Sequence, residues 1–223
     1  MELNGREFGL PAGRPATHSH ICAFFNSADE EQRVVEPFLR EGLASGAKSI
    51  YIIDPGVREL RLNRLREARI DVDGFMAAGQ LDIIPWDEAY LRDGQFDQFA
   101  MLSWADNLLR EYDARYSRTR AVAHMEWALL GSPGVEDLLQ YEARVNHMLR
   151  GHSASVICAY DASRFPASVA MDVMRTHPQV IIGGVLQENP FFVPPDELLS
   201  EIREARSRRV PERATRETVI SPG

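Results

Sequence analysis

His18, His20 and Cys22 alternate through the first apolar run of the chain. On a β-strand that spacing turns all three to one side. Two imidazoles and a thiolate so arranged could hold a soft metal ion or a haem. Cys22 lies well inside the apolar run, however, and no second His/Cys cluster is near in sequence. Packing is therefore the expected role of the three, and no metal is expected, with a metal or haem site as the rival reading. His124 and Glu126 share a face of a later apolar run, and His177 stands at a helix end, so several of these groups could converge in space. Glu142 falls on the apolar stripe of a helix with Val135, Leu138, Leu139, Val145 and Leu149. A carboxylate there must find a partner or carry a raised pKa. Arg144 projects elsewhere, so the partner must come from another element, and a structural ion pair is the plain reading. No GxSxG elbow occurs and no Ser or Cys has a recognisable base beside it, so nucleophilic catalysis lacks support.

These residues need a scaffold, and the hydropathy pattern supplies one. Apolar runs at His20–Phe25, Lys48–Ile53, Leu81–Trp86, Arg120–Trp127, Ala154–Tyr160 and Val180–Gly184 read as strands. Helical periods separate them. The first carries Val34, Val35, Phe38, Leu39 and Leu43, with Asp29 as expected N-cap and Gly46 as its end. Another carries Phe99, Leu102, Ala105, Leu109 and Tyr112 on one face. The segment 87–94 reads as a loop. Strands alternating with helices predict an α/β fold: three layers, a mostly parallel central sheet, helices on both faces. The expected organisation is an irregular lead-in over 1–16, one domain over 17–195, a helix over 196–209 and a disordered tail over 210–223.

In an open parallel sheet, ligands bind beyond the C-terminal strand ends. The residues expected there are Phe25, Asn26, Asp54, Trp86, Asp87, Glu88, His124, Glu126, Trp127, Tyr160, Asp161, Gly183 and Gly184. This mixed aromatic and acidic rim suits a small, partly apolar ligand with a few polar contacts. Asp54 and Asp161 could equally serve as caps of the following turns. The turn after the first strand, Asn26-Ser-Ala-Asp-Glu-Glu-Gln32, has no Gly and no Lys but three carboxylates. A phosphate cradle needs the reverse, so ATP binding through such a loop is not expected.

The 223 residues carry a net charge of −8, which argues against direct nucleic-acid binding. No apolar run approaches the ~20 residues that span a bilayer, and the N-terminus lacks the apolar core of a signal peptide. With both cysteines in apolar runs, the expectation is a cytoplasmic protein with reduced thiols.

Taken in order, segments of the chain resemble the MEDS domain, a sensory domain of the dichloromethane-repressor type. They include Thr17-His-Ser-His-Ile-Cys-Ala-Phe-Phe, Pro37-Phe-Leu-Arg-Glu-Gly-Leu, Tyr51-Ile-Ile-Asp-Pro, Gly79-Gln-Leu-Asp-Ile-Ile-Pro, Ala89-Tyr-Leu-Arg-Asp-Gly-Gln-Phe-Asp, Cys158-Ala-Tyr-Asp and Glu188-Asn-Pro-Phe-Phe-Val-Pro-Pro. The resemblance covers about residues 15–195. It implies a RecA/KaiC-like domain that has lost its nucleotide loop, with Asn26–Gln32 in its place, Glu126 near the acidic position of the Walker B strand, and Asp54 where such ATPases often have a catalytic glutamate. It also implies small-molecule sensing. Family members are often fused to DNA-binding or kinase-like output domains, for which this chain leaves no room, so output is expected through a protein partner, with a homodimer as a further possibility. The expectation is thus a stand-alone sensory module and not an enzyme. Its rivals are a degenerate ATPase or hydrolase using Glu126, Asp54 or Glu142 as base, and a ligand-free scaffold in an anti-sigma or kinase network.

Overall fold

The computed structural model of the chain describes residues 18–216. The elements run β1 (Ser19–Phe25), α1 (Ala28–Ala44), β2 (Lys48–Ile53), α2 (Arg58–Glu67), α3 (Val72–Ala77), β3 (Leu81–Pro85), α4 (Trp86–Ala89), α5 (Gln98–Asp113), β4 (Thr119–His124), α6 (Leu138–Leu149), β5 (Ala154–Asp161), α7 (Ala167–Met174), β6 (Gln179–Ile182), β7 (Val185–Glu188) and α8 (Pro195–Arg216). The strands form a seven-stranded sheet in the order β3-β2-β4-β5-β1-β6-β7. All neighbours are parallel except the β6–β7 pair. β1 is an interior strand, flanked by β5 and β6, one place off the middle.

Every residue of β2 is buried, as a strand covered on both faces requires. Ile21, Ala23, Val122, Ile157 and Ile181 project to one face and meet Val34, Phe38 and Leu39 of α1 and Leu62 and Leu65 of α2. Cys22, Ala121, Ala123 and Cys158 project to the other, against Met101, Leu109 and Tyr112 of α5 and Tyr141 and Val145 of α6. The layers are therefore helix, sheet, helix. α8 lies outside them against α6, with Leu198 fully buried.

Several local features differ from the sequence reading. The N-cap of α1 is Ser27, whose Oγ accepts from the Glu30 amide at 3.2 Å; Asp29 lies inside the first turn, where its charge suits the helix dipole. The chain leaves β4 after His124, and Glu126 to Leu130 form a 3-10 turn, so Glu126 and Trp127 are not strand residues. Trp86 opens α4, and Arg92 to Gly94 form a further 3-10 turn where a loop was expected. Phe99 is exposed, with the Arg144 guanidinium over its ring; Met101, two residues on, takes the inward place in α5. Gly183 and Gly184 do not extend β6. Both have positive φ and form a two-residue hairpin turn into β7, a geometry that suits a Gly-Gly pair. The last helix continues to Arg216, past the expected boundary at Arg209, through a stretch rich in Glu, Arg and Ala. Residues 210–216 are thus helical, and the lead-in and the remainder of the tail lie outside the described residues.

Candidate functional site

A cavity of about 160 Å³ opens where β1, β2, β4 and β5 end, on the α1/α2 side of the sheet. Its floor is a polar network made by one side chain from each of several elements. His124 ends β4 and is buried; its Nε2 stands 3.2 Å from Glu31 Oε1 of α1 and 3.3 Å from the Tyr51 hydroxyl of β2. Its Nδ1 faces Glu126 Oε2 at 3.6 Å, an electrostatic contact rather than a hydrogen bond. Arg61 of α2 donates to Glu31 and, at 3.3 Å, to the Tyr51 hydroxyl. Two carboxylates therefore meet one guanidinium and one imidazole.

That arrangement sets the protonation states. Burial disfavours the charged imidazolium of His124, but Glu126 and Glu31 outweigh it and hold its pKa above 6.5. Burial likewise works against the Glu31 carboxylate, yet His124 and Arg61 bring its pKa down to about 2. The Tyr51 phenol is held well above its ordinary range, mainly by burial. With His124 protonated the four charges balance, and a charged ligand gains little from the floor.

The walls are Phe25, Val57 and Ala159, with Asp54, Asp161 and Arg164 at the mouth. Asp54 Oδ1 accepts from the Gly56 amide at 2.8 Å, and Asp161 Oδ1 accepts from the amide and hydroxyl of Ser163 at 2.9 and 2.6 Å. Both are caps as well as rim residues. Arg164 makes no ion pair among the described residues. In the turn after β1, the Asn26 amide and side chain both donate to Glu30 Oε2, at 2.9 and 3.3 Å. The chain's own carboxylate thus takes a donor that would otherwise face an anion.

Of the rim residues named from sequence, the fold brings Phe25, Asp54, His124, Glu126, Tyr160 and Asp161 to this cavity. Asn26 is exposed beside it and engaged with Glu30. Trp86 is packed in the core. Trp127 is fully buried, stacked on Tyr90 with centroids 4.6 Å apart and close to Phe96 at 4.7 Å. Both tryptophans read as rim residues because the strands appeared longer than they are. Glu31, Tyr51 and Arg61 were missed as floor residues. Their signal was present, a Glu and an Arg on the inner stripes of α1 and α2 and a Tyr inside an apolar strand, but the stripes alone could not pair them.

Glu142 lies on the opposite face of the sheet, fully buried on α6. Its Oε2 is 3.2 Å from His20 Nε2, 3.5 Å from His177 Nε2 and 3.8 Å from Cys158 Sγ. Its Oε1 accepts from the Tyr160 hydroxyl at 3.0 Å. His20 therefore groups with residues from other elements rather than with its strand neighbours. His18 precedes β1, and the Cys22 thiol turns to the Gln179 carbonyl at 3.8 Å. Cys22 and Cys158 pair in register on adjacent strands, and both are free thiols.

Residues 19–178 match the family model described as the methanogen/methylotroph, DcmR sensory domain, MEDS. The chain belongs to the MEDS family. Among curated relatives of this MEDS chain is the transcriptional repressor DcmR of Methylorubrum extorquens. It is 28% identical over 167 residues, a match spanning 73% of this chain and 59% of the repressor. Among solved structures, a KaiC-like protein of Pyrococcus horikoshii OT3 superposes with a TM-score of 0.52 at 10% identity, over 73% of this chain and 69% of that one. The MEDS chain thus has a RecA/KaiC-like α/β fold, and its family membership gives it a sensory, regulatory character.

Proposed function

We propose that this chain is a sensory module in transcriptional or signalling control, and that the cavity over His124 receives a small, partly apolar organic ligand carrying little charge. The observation that carries this reading is the charge-balanced floor of Glu31, Arg61, His124 and Glu126, roofed by apolar walls and open at the strand ends. A volume of about 160 Å³ is small beside the ~300–1,000 Å³ of drug-sized pockets, so it suits a ligand of few heavy atoms rather than a nucleotide. The engaged turn amides and the carboxylates at the rim also work against a triphosphate. Arg164 at the mouth is placed to accept one polar or anionic group of the ligand. Output passes to a protein partner, for which α8 is the candidate surface. DcmR, as a transcriptional repressor, supports the regulatory half of this reading.

Native mass spectrometry and calorimetry against small alcohols, aldehydes, carboxylic acids, amines and haloalkanes test it. A bound species is expected whose affinity falls at least tenfold in Glu126→Gln and Arg164→Ala. Failure of every class to bind would leave a scaffold. Glu126-dependent ATP turnover would instead make the chain an enzyme.

A further inference from the structure

The cluster around Glu142 has no task in the rim reading and does not rest on it. The side chains of His20 on β1, Glu142 on α6, Cys158 on β5 and His177 just before β6 are all buried, and their ligand-type atoms lie within 4.8 Å of one another. We infer that these four side chains form a closed binding site for a divalent transition-metal ion, zinc fitting best.

The first argument is the spacing. Atoms bound to zinc at about 2.0–2.3 Å in a tetrahedron stand roughly 3.3–3.7 Å from one another. Four of the six separations here are 3.2 Å for His20 Nε2 to Glu142 Oε2, 3.5 Å for His177 Nε2 to Glu142 Oε2, 3.5 Å for Cys158 Sγ to His20 Nε2 and 3.8 Å for Cys158 Sγ to Glu142 Oε2, and the two between His177 and its other neighbours lie within 4.8 Å.

The second argument is the tautomers. His177 Nδ1 is 2.7 Å from the Thr176 hydroxyl and 3.0 Å from the Val173 carbonyl; the hydroxyl donates to that same carbonyl at 2.7 Å, which leaves its oxygen to accept and the proton on Nδ1. The Asn146 amide nitrogen donates to the Thr176 carbonyl at 2.7 Å, which turns its oxygen to His20 Nδ1 at 3.3 Å and places the proton there as well. Both imidazoles therefore aim a bare Nε2 lone pair at the Glu142 carboxylate. Without a metal, a Glu142 carboxyl proton and the Cys158 thiol proton both lie nearest His20 Nε2, at 3.2 and 3.5 Å, while His177 Nε2 has no hydrogen-bond partner. A cation between the lone pairs, the carboxylate and the sulfur satisfies all of them.

The third argument is the surrounding layer. Metal-bound histidines hold their other nitrogen against a carbonyl or similar acceptor, as both do here. Tyr160 occupies Glu142 Oε1 and leaves Oε2 for the metal. On binding, the Cys158 thiol loses its proton to solvent. The thiolate and the carboxylate together then neutralise the 2+ charge, which a dry interior requires. A closed four-ligand set of this kind is structural in type. It ties together β1, β5, α6 and the turn into β6.

The test is metal analysis of the full chain expressed in zinc-supplemented medium, then denatured with chelator and refolded with equimolar Zn(II) or Co(II). About one metal per chain is expected, together with a thiolate-to-cobalt charge-transfer band for the Co(II) form. Cys158→Ser should abolish the band, and His177→Ala should remove most of the metal. Tyr160→Phe touches no ligand atom and should weaken affinity by about 10- to 100-fold, which keeps the question answerable if a ligand variant does not fold. His152→Gln, at the separate Asp106–His152–Asp113 cluster, should leave the metal in place. A chain that takes up no metal on refolding overturns the inference. So does metal that survives Cys158→Ser and His177→Ala, or that is lost in His152→Gln alone.

Discussion

Glu31 and His124 shift in opposite directions, and each shift predicts a pH dependence. The Glu31 pKa falls from 4.5 to about 2 on folding, so its contribution is complete above about pH 4.5 and is lost as pH falls toward 2. The shift corresponds to about 3 kcal/mol. Glu31→Gln should therefore unfold more easily than the parent at pH 6, and in urea titrations the gap should narrow steadily below pH 4.5 and close only as pH falls through about 2. His124 has the opposite sign. Its folded pKa lies above 6.5, so its contribution is complete below 6.5 and is lost as pH rises through the folded value. The melting-temperature gap between the parent and His124→Gln should be wider at pH 6 than at pH 9; an unchanging gap would mean that the ring acts by packing alone. At this scale the sequence was partly legible. Glu142 announced itself as a carboxylate on an apolar stripe, and His20 by its alternation with Cys22. Their convergence with Cys158 and His177 was not, because the four lie on separate elements whose adjacency depends on strand order.

The elements were legible where burial on both faces produced unbroken apolar runs, as in β2 and β5, and less so where a run crossed a boundary. The residues Met125 to Trp127 continue the apolar run of β4, yet the chain has already turned, and this turn sends Glu126 to the cavity and Trp127 to the core. The Gly183-Gly184 pair was a hairpin signal absorbed into a strand end. Gly134 holds a similar but harder constraint just before α6. Its φ is +88°, and a Cβ there would lie 1.9 Å from the Phe96 carbonyl oxygen. The Phe96 amide in turn donates to the Pro133 carbonyl at 2.8 Å, so this loop is stitched to the segment before α5. Backbone atoms cannot yield as a flexible side chain can. Gly134→Ala should cost about 2 kcal/mol or more, read as a lower denaturation midpoint with unchanged slope. Since α6 carries Glu142, the same variant should also loosen metal uptake if the buried cluster holds an ion.

Across the whole molecule, the sheet separates two polar centres. The rim floor lies with α1 and α2, the Glu142 cluster with α6, and β5 touches both through Ala159 to Asp161 on one side and Cys158 and Tyr160 on the other. α8 is the outermost element and is joined to the α6 side. Arg206 pairs with Asp137, Glu201 with Arg175, and Asp196 with His147. All three pairs have substantially exposed partners, and exposed pairs contribute about 0–1 kcal/mol and weaken with salt. Leu198, by contrast, is fully buried, which is worth about 1.5–3 kcal/mol. The docking of α8 thus depends on apolar contacts near its N-terminal end, where Pro195 is buried and Leu199 and Ile202 are half-buried around Leu198, the most deeply buried of them. Leu198→Ala should speed amide exchange throughout residues 198–208 at low and high salt alike. Arg206→Ala should alter exchange only near its own turn, and only at low salt. If Arg206→Ala released the helix as fully as Leu198→Ala, the ion pairs would be the true latch, and α8 would detach in response to salt or to an acidic partner surface rather than to a shift in the packing beneath Leu198.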